Sequence, residues 1–337
     1  MPDLDHWDLR GPVRTVDVQR TWGSNGDHSI VEFRPDGAIS RRWHRNPDNS
    51  EWTSVHTYDD AGRLVSIRDE SSAGEVHLRL HEYDQLGRLM RHLSRDPSGG
   101  ERIIESYSYD AAGRKTKTHF VDTASQRPNT NYSWAVEGSK AFYSAPNAAK
   151  LATAYDPAGR PNEFLFHDAT GALTSRVDFH YDESGNLTEE AQTHTVSPFS
   201  GFEGNLSPEQ VEAVRAVLSG PISRRIHRYD ALGHRIETLC SIFGSLGNHS
   251  ETMEYNQHGD LITQTSADES REYGFEEEGG ELQSRPGHQS RSHARFIYEY
   301  DPRGNWTSKI TEAGPGDNPD FAVTSTERRT LTYFDPI

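Results

Sequence analysis

Tyr58-Asp59-Asp60-Ala61-Gly62-Arg63-Leu64 is the stretch that decides the fold of this chain. Tyr is a strong strand former. Asp at the first position of a turn bonds the backbone two residues on. Gly three residues later takes the left-handed conformation that closes a hairpin with a bulge. Arg63-Leu64 then opens a second extended segment, so the stretch reads strand, tight turn, strand.

The pattern Tyr-Asp-x-x-Gly recurs at Tyr83-Asp84-Gly87, Tyr109-Asp110-Gly113, Tyr155-Asp156-Gly159, Tyr181-Asp182-Gly185, Tyr229-Asp230-Gly233 and Tyr300-Asp301-Gly304, giving seven strict copies. A chain with 14 Tyr and 28 Gly yields far less than one such copy by chance. Looser copies are Phe33 with Asp36 and Gly37, Tyr255-Asn256 with Gly259, His167-Asp168 with Gly171, and Phe275-Glu276 with Gly279. Pro35, Pro157 and Pro302 occupy the second turn position, which suits a type I turn. The step from Tyr58 to Tyr83 is 25 residues and from Tyr83 to Tyr109 is 26. Each unit then holds two strands of about eight residues and two turns. The second turn is looser, as in Glu70–Gly74, Asp96–Gly100 and Ala267–Ser270. All the Tyr-Asp turns should line one rim, and the variable turns the other.

Residues two before each repeat aromatic share its face of the strand. That column reads Val31, His56, His81, Tyr107, Thr153, Phe179, His227, Met253 and Tyr298, a packing ladder rather than a site. Two steps are long: 46 residues from Tyr109 to Tyr155 and 48 from Tyr181 to Tyr229. The first reads as a degenerate hairpin with long loops around Tyr132-Ser-Trp134 and Phe142-Tyr143. The second holds a helix near 208–218, with Ser207 as N-cap, Pro208 at the first position, Gln210 completing a capping box, and Gly220-Pro221 as the stop. The stretches 279–288 and 313–319 read as exposed loops.

Hydrophobic residues make up 32% of the 337 and mean hydropathy is −0.85, against roughly 45–50% apolar in a typical soluble domain. Aromatics are 10%, which a disordered chain lacks. This composition fits a thin, extended sheet. About 20 strands at ~4.8 Å make a ribbon roughly 100 Å long, and a twisted ribbon of that length must curl, split or close. The expected fold is all-β: a long antiparallel β-hairpin meander, as a strongly curled sheet or partly closed shell or barrel, with one short inserted helix. One body spans residues 1–337, with 1–30 as N-terminal edge, 31–310 as repeats and 311–337 as the closing strand.

The formal net charge of −17 repels polyanions, so no nucleic acid is expected as a partner. No window is apolar enough for a membrane span, so no membrane insertion is expected. The opening Met1-Pro-Asp-Leu-Asp-His-Trp7 has no basic start and no apolar stretch, unlike a signal peptide. The lone Cys240 excludes an internal disulfide and reads as a small buried hydrophobe.

These repeats resemble the tyrosine-aspartate (YD, or RHS-type) repeat family, whose members include bacterial toxin shells and animal teneurins. The likeness covers residues 30–310 and rests on the seven strict copies. It implies a β-meander that spirals into a hollow shell, and a secreted or cell-surface setting. The chain departs from large members in having too few strands for a large cocoon, and in lacking the Asp-Pro-x-Gly-Leu-type junction that precedes a released toxin.

No cofactor and no metal site is read from the residues. His77 and His81 would lie about 13 Å apart on a strand, and His288 and His293 fall in what reads as a polar loop. Asp59-Asp60, Glu189-Glu190 and Glu276–Glu278 read as solvated turns. There is no Gly-x-Ser-x-Gly elbow, P-loop or His-Glu-x-x-His motif. Trp43, Trp52, Trp134 and Trp306 are the binding candidates, because flat aromatic faces suit sugars and peptides. The sequence favours a non-catalytic scaffold that binds a polypeptide or glycan or helps encapsulate a partner. The alternatives are a carbohydrate-active enzyme with a cleft in the curled sheet, and an accessory piece of a toxin system.

Overall fold

The computed structural model describes residues 7, 9–96, 98–111, 115–120, 131–136, 139–144, 148–195, 207–217, 221–242, 246–275, 282–316 and 320–335. The strands are β1 (Val13–Trp22), β2 (Asn25–Phe33), β3 (Ile39–Arg45), β4 (Glu51–Tyr58), β5 (Leu64–Ser71), β6 (Val76–Tyr83), β7 (Leu89–Arg95) and β8 (Glu101–Tyr109). Then follow β9 (Lys115–Phe120), β10 (Asn131–Val136), β11 (Ser139–Ser144), β12 (Lys150–Tyr155), β13 (Pro161–His167), β14 (Leu173–Tyr181) and β15 (Leu187–His194). After helix α1 (Pro208–Val217) come β16 (Ser223–Tyr229), β17 (Arg235–Ile242), β18 (Gly247–Tyr255), β19 (Leu261–Phe275), β20 (Leu282–Tyr300), β21 (Trp306–Pro315) and β22 (Ala322–Tyr333).

Twenty of these strands form one antiparallel wall, and it is closed. Each strand pairs with its chain neighbour, β9 passes directly to β12, and β22 pairs with β1. The chain's two ends are therefore not edges: Val16 faces Leu331 and Val18 faces Arg329 across the seam. Closure satisfies the backbone groups that an open ribbon would leave unpaired.

The repeat turns have the expected geometry. Gly62, Gly87, Gly159, Gly185, Gly233 and Gly304 have φ between 75° and 91°. Asp59 Oδ1 accepts from the backbone N–H of Ala61 and Arg63, and Asp84 Oδ1 from those of Leu86 and Arg88. A register shift falls immediately before Tyr58, Tyr83, Tyr155, Tyr181, Tyr229 and Tyr300, which is the predicted bulge. Gly113 lies outside the described residues.

The repeats are also stapled sideways. The hydroxyls of Tyr58, Tyr83, Tyr109, Tyr181, Tyr229 and Tyr255 donate to the carbonyls of Ile39, Leu64, Leu89, Pro161, Leu187 and Arg235. Each acceptor stands two residues past the preceding turn glycine. In three of the six, an arginine just after that glycine lies over the same ring: Arg63 on Tyr83 at 4.8 Å, Arg88 on Tyr109 at 4.4 Å, Arg160 on Tyr181 at 4.5 Å. Those arginines also pair with the aspartate of their own turn, Arg63 with Asp59 and Arg88 with Asp84.

Side chains on the concave face of a closed wall converge. That inner face carries Val16, Val18, Val31, Ser54, Thr153, Phe164, Val177, Glu190, His227 and Met253, all buried. One apolar cluster, Val13, Val16, Val18, Val31 and Phe33, takes Trp7 and Leu9 against it at the seam. A second joins Leu151, Phe164, Phe166, Val177 and Phe179 to Tyr143.

Several expectations change. The hairpin between Tyr109 and Tyr155 forms as β10 and β11, but as a separate two-stranded sheet outside the wall. Ala267–Ser270 is no turn; it lies within β19. Of the expected loops, 282–288 belongs to β20 and 313–315 to β21, so His288 and His293 are strand residues. Residues 283–286 stay exposed although they are strand, and composition alone could not separate an exposed strand from a loop. His167-Asp168-Gly171 forms a turn of the same geometry as the copies, but between β13 and β14, on the opposite rim. Helix α1 forms as expected: Ser207 Oγ accepts from the Gln210 N–H, and Gln210 Oε1 accepts from the Ser207 N–H.

Candidate functional site

The inner wall brings together polar groups that are scattered along the chain. On β15, alternation turns Glu190 and Gln192 inward and Glu189 outward. Glu190 is 1% exposed, so the reading of Glu189-Glu190 as a solvated turn is overturned by their place inside a strand. Around Glu190 stand His227, with Nε2 at 3.4 Å, and Arg225, at 3.7 Å. Tyr143, reaching in from β11, donates its hydroxyl to Glu190. The His227 Nδ1 lies 3.1 Å from Thr238 Oγ1, and Gln192 donates to Ser175 Oγ at 2.8 Å. A buried carboxylate persists only with such partners.

A second polar sector spans β3 to β9. His81 on β6 opposes His92 on β7, their ring centres 4.2 Å apart. Burial, then the neighbouring His92, Arg79 and His56, pushes the His81 imidazole down to about 4. His92 Nδ1 lies 3.0 Å from Glu105 on β8. Glu105 also accepts from Tyr107 at 2.6 Å and from Lys117 at 3.2 Å. Burial lowers the Lys117 ammonium against the pull of Glu105. Burial and the bond to Glu105 raise the Tyr107 phenol. Among the described residues, no group of three His, Cys, Asp or Glu could hold a metal ion.

Of the candidate tryptophans, Trp43 and Trp52 do not share a face. Trp43 pairs with Ile30 and Thr53, whereas Trp52 pairs with His44, which puts the two rings on opposite faces. Trp52 lies under Arg42 on the inner face at 5.4 Å. Trp306 is 7% exposed beneath Arg329, 3.3 Å from its ring centre. The side chain of Trp134 lies outside the described residues. Cys240 is half-buried, and burial raises its thiol.

Sequence reasoning missed Glu190, Glu105, His92 and Tyr143. Alternation within β15 and β8 assigns a face to each carboxylate, but only the register across strands shows which histidine it meets.

No family model matches the chain, and no curated protein matches it. Solved structures do. The chain is similar to a Tc holotoxin pore from Photorhabdus luminescens at 12% identity and a TM-score of 0.34, covering 85% of this chain and 16% of that one. It is similar to a TcdB2-TccC3 structure without its hypervariable C-terminal region at 12% identity and TM-score 0.25, covering 92% and 19%. A porin-like protein from Bacteroides uniformis matches at 10% identity and TM-score 0.34, covering 96% and 98%. The chain spans less than a fifth of the length of these toxin chains. Fold and inner wall together define a closed antiparallel β-barrel of 20 strands. Among the described residues, no helix is long and apolar enough to cross a membrane.

Proposed function

We propose that this chain is a non-catalytic barrel scaffold whose inner wall holds a polypeptide. One observation carries the reading. Tyr143 comes from a hairpin that is not part of the wall, yet it is 1% exposed, with its ring against Phe164 and Phe179 and its hydroxyl on Glu190. The inner wall thus already seats a segment of polypeptide through an aromatic anchor and a buried acceptor. Barrels of eight strands fill their interiors with side chains, while those of roughly 16–18 leave a channel. A wall of 20 strands belongs with the latter. The outward face supports an aqueous setting: it carries the ion pairs Arg68–Glu70, Arg91–Glu82, Arg176–Glu163 and Arg228–Glu237, where a lipid-facing wall needs an apolar band.

The test uses the full-length protein and a fluorescent, reduced and carboxymethylated lactalbumin as an extended-chain probe. Protection of the probe from protease, together with a rise in anisotropy, is the expected result. A probe digested equally fast with and without the barrel would refute the reading.

A carbohydrate-active enzyme is the second reading, favoured by the inward His92–Glu105 pair. Against it, Glu105 is already engaged by Tyr107, Lys117 and His92, which suits a structural anion better than a poised acid or base. Turnover of chromogenic glycosides that disappears in Glu105→Gln would establish it.

A further inference from the structure

The wall carries a second concavity, on the face opposite Glu190 and His227. A trough of about 840 Å³ crosses β16 to β20. Strand register explains its shape. Ser241 opposes Asn248, and Leu239 opposes Ser250. Asn248 opposes Glu269, and Ser250 opposes Ala267. The three central strands therefore set Ser241, Asn248, Ser250 and Ala267 side by side, all of them short. Long side chains stand at the two ends, Arg224 on β16 and Arg291 on β20. Short residues flanked by long ones make a trough roughly 19 Å from end to end, at four strand spacings.

The geometry points to a binding site for a neutral, hydroxyl-rich ligand, a short oligosaccharide, on the outer wall. The volume lies within the roughly 300–1,000 Å³ of small-ligand sites. The floor offers the hydroxyls of Ser241 and Ser250 and the amide of Asn248, beside the aliphatic Ile226 and Leu239. That mixture matches a sugar, which presents hydroxyls at its edge and C–H groups on its ring face. Charge selects a neutral ligand. Glu189 grips Arg224 with two bonds, at 2.8 and 3.1 Å, and Glu269 stands on the same face as Arg291, whereas Asp268 turns to the other face and His249, so two guanidiniums face two carboxylates. The backbone of the central strands is paired on both sides, which leaves no open edge for an added peptide strand.

This site lies on the other face of the wall from the proposed polypeptide-holding interior and stands or falls separately. Isothermal titration of the full-length protein with cellotetraose, maltotetraose and chitotetraose tests it, with tetragalacturonate as the acidic counterpart. Ser250→Tyr and Ala267→Tyr each put a ring into the trough from half-exposed positions, and Arg291→Ala removes one end. At least one neutral tetrasaccharide should bind. The variants should weaken it about tenfold or more, with an unchanged melting temperature and unchanged protection of the lactalbumin probe. Binding by none of the neutral saccharides, preference for tetragalacturonate, or binding that survives both tyrosine substitutions would overturn the assignment. If a tyrosine variant unfolds, undiminished binding by Arg291→Ala overturns it.

Discussion

The two rims of the barrel use the same turn but behave differently. On the repeat rim, Gly62 and Gly87 donate to the carbonyls of Asp59 and Asp84; on the other rim, Gly74 and Gly99 donate in the same way to Ser71 and Asp96. Gly74 and Gly99 are left-handed as well, at φ 83° and 92°. The staple distinguishes them. Repeat turns are tied to the next hairpin by a tyrosine hydroxyl, joined in three cases by a stacked arginine, as Tyr83 is to Leu64 and Arg63. On the second rim the Gly74 turn is tied to β4 through the backbone, Ser72 N–H to the Glu51 carbonyl, but among the described residues no tyrosine hydroxyl with a stacked cation recurs there; this rim carries β10–β11, helix α1 and the long β19–β20 hairpin. A turn outside a repeating side-chain staple can be lengthened at the cost of local bonds alone; a turn within the staple also disturbs the next repeat.

The largest effect should come at the seam, where the stapled rim closes on itself. Asn305 is 1% exposed, accepts from the Arg10 N–H, and donates to the Arg10 carbonyl and the Tyr333 hydroxyl. Asn305→Ala strands these groups and should cost about 2–3 kcal/mol, read from the urea midpoint. A midpoint within error of the parent would mean that the ends do not meet there.

Next, Gly87→Val and Gly99→Val compare the rims directly. Both suffer the left-handed strain of about 1–2 kcal/mol. At Gly87 a Cβ would also meet Arg63 at 3.0 Å, while at Gly99 nothing lies within 4 Å. A larger fall in melting temperature at Gly87 is expected, and equal falls would break the distinction between the rims. Tyr83→Phe removes only the hydroxyl bond to Leu64 and should cost about 1 kcal/mol. Ser98→Ala on the other rim should stay within about 0.5 kcal/mol.

The smallest effect is a shallow pH slope. His81 has a folded value near 4, below its ordinary 6.5. The unfolded chain thus binds more protons between those values, and stability should decline as pH falls from 6.5 toward 4. His81→Gln should flatten that window. The rim carboxylates act lower. The Arg63 side chain and then its backbone N–H hold Asp59 below the ordinary 3.8, and the Arg88 backbone N–H holds Asp84 down likewise. Their contribution is present above 3.8 and is lost below it. A decline that begins only below pH 4 would remove His81 from the account.

Much of the wall was legible in one dimension. Asp-x-x-Gly specifies a bend through local bonds, and the alternation around each tyrosine assigns a face. The inner column Val31, Thr153, Phe179, His227 and Met253 is buried as that alternation requires. The polar strand ends of β19 and β20 were not legible, because exposed strands and loops share a composition. Nor was the role of the residue after each glycine: Arg63 reads as a strand start until Tyr83, 20 residues on, is seen beneath it.

The sequence by itself determined where the repeat turns fall and which face the side chains beside them take, since these depend on contacts within a few residues; it did not determine the length of β19 and β20. Only the tertiary structure decided that the ribbon closes, that Glu190 meets His227 and Tyr143, and that short residues on three strands align into a trough. Each of these depends on register between segments distant in the chain, and register is settled by the whole wall at once.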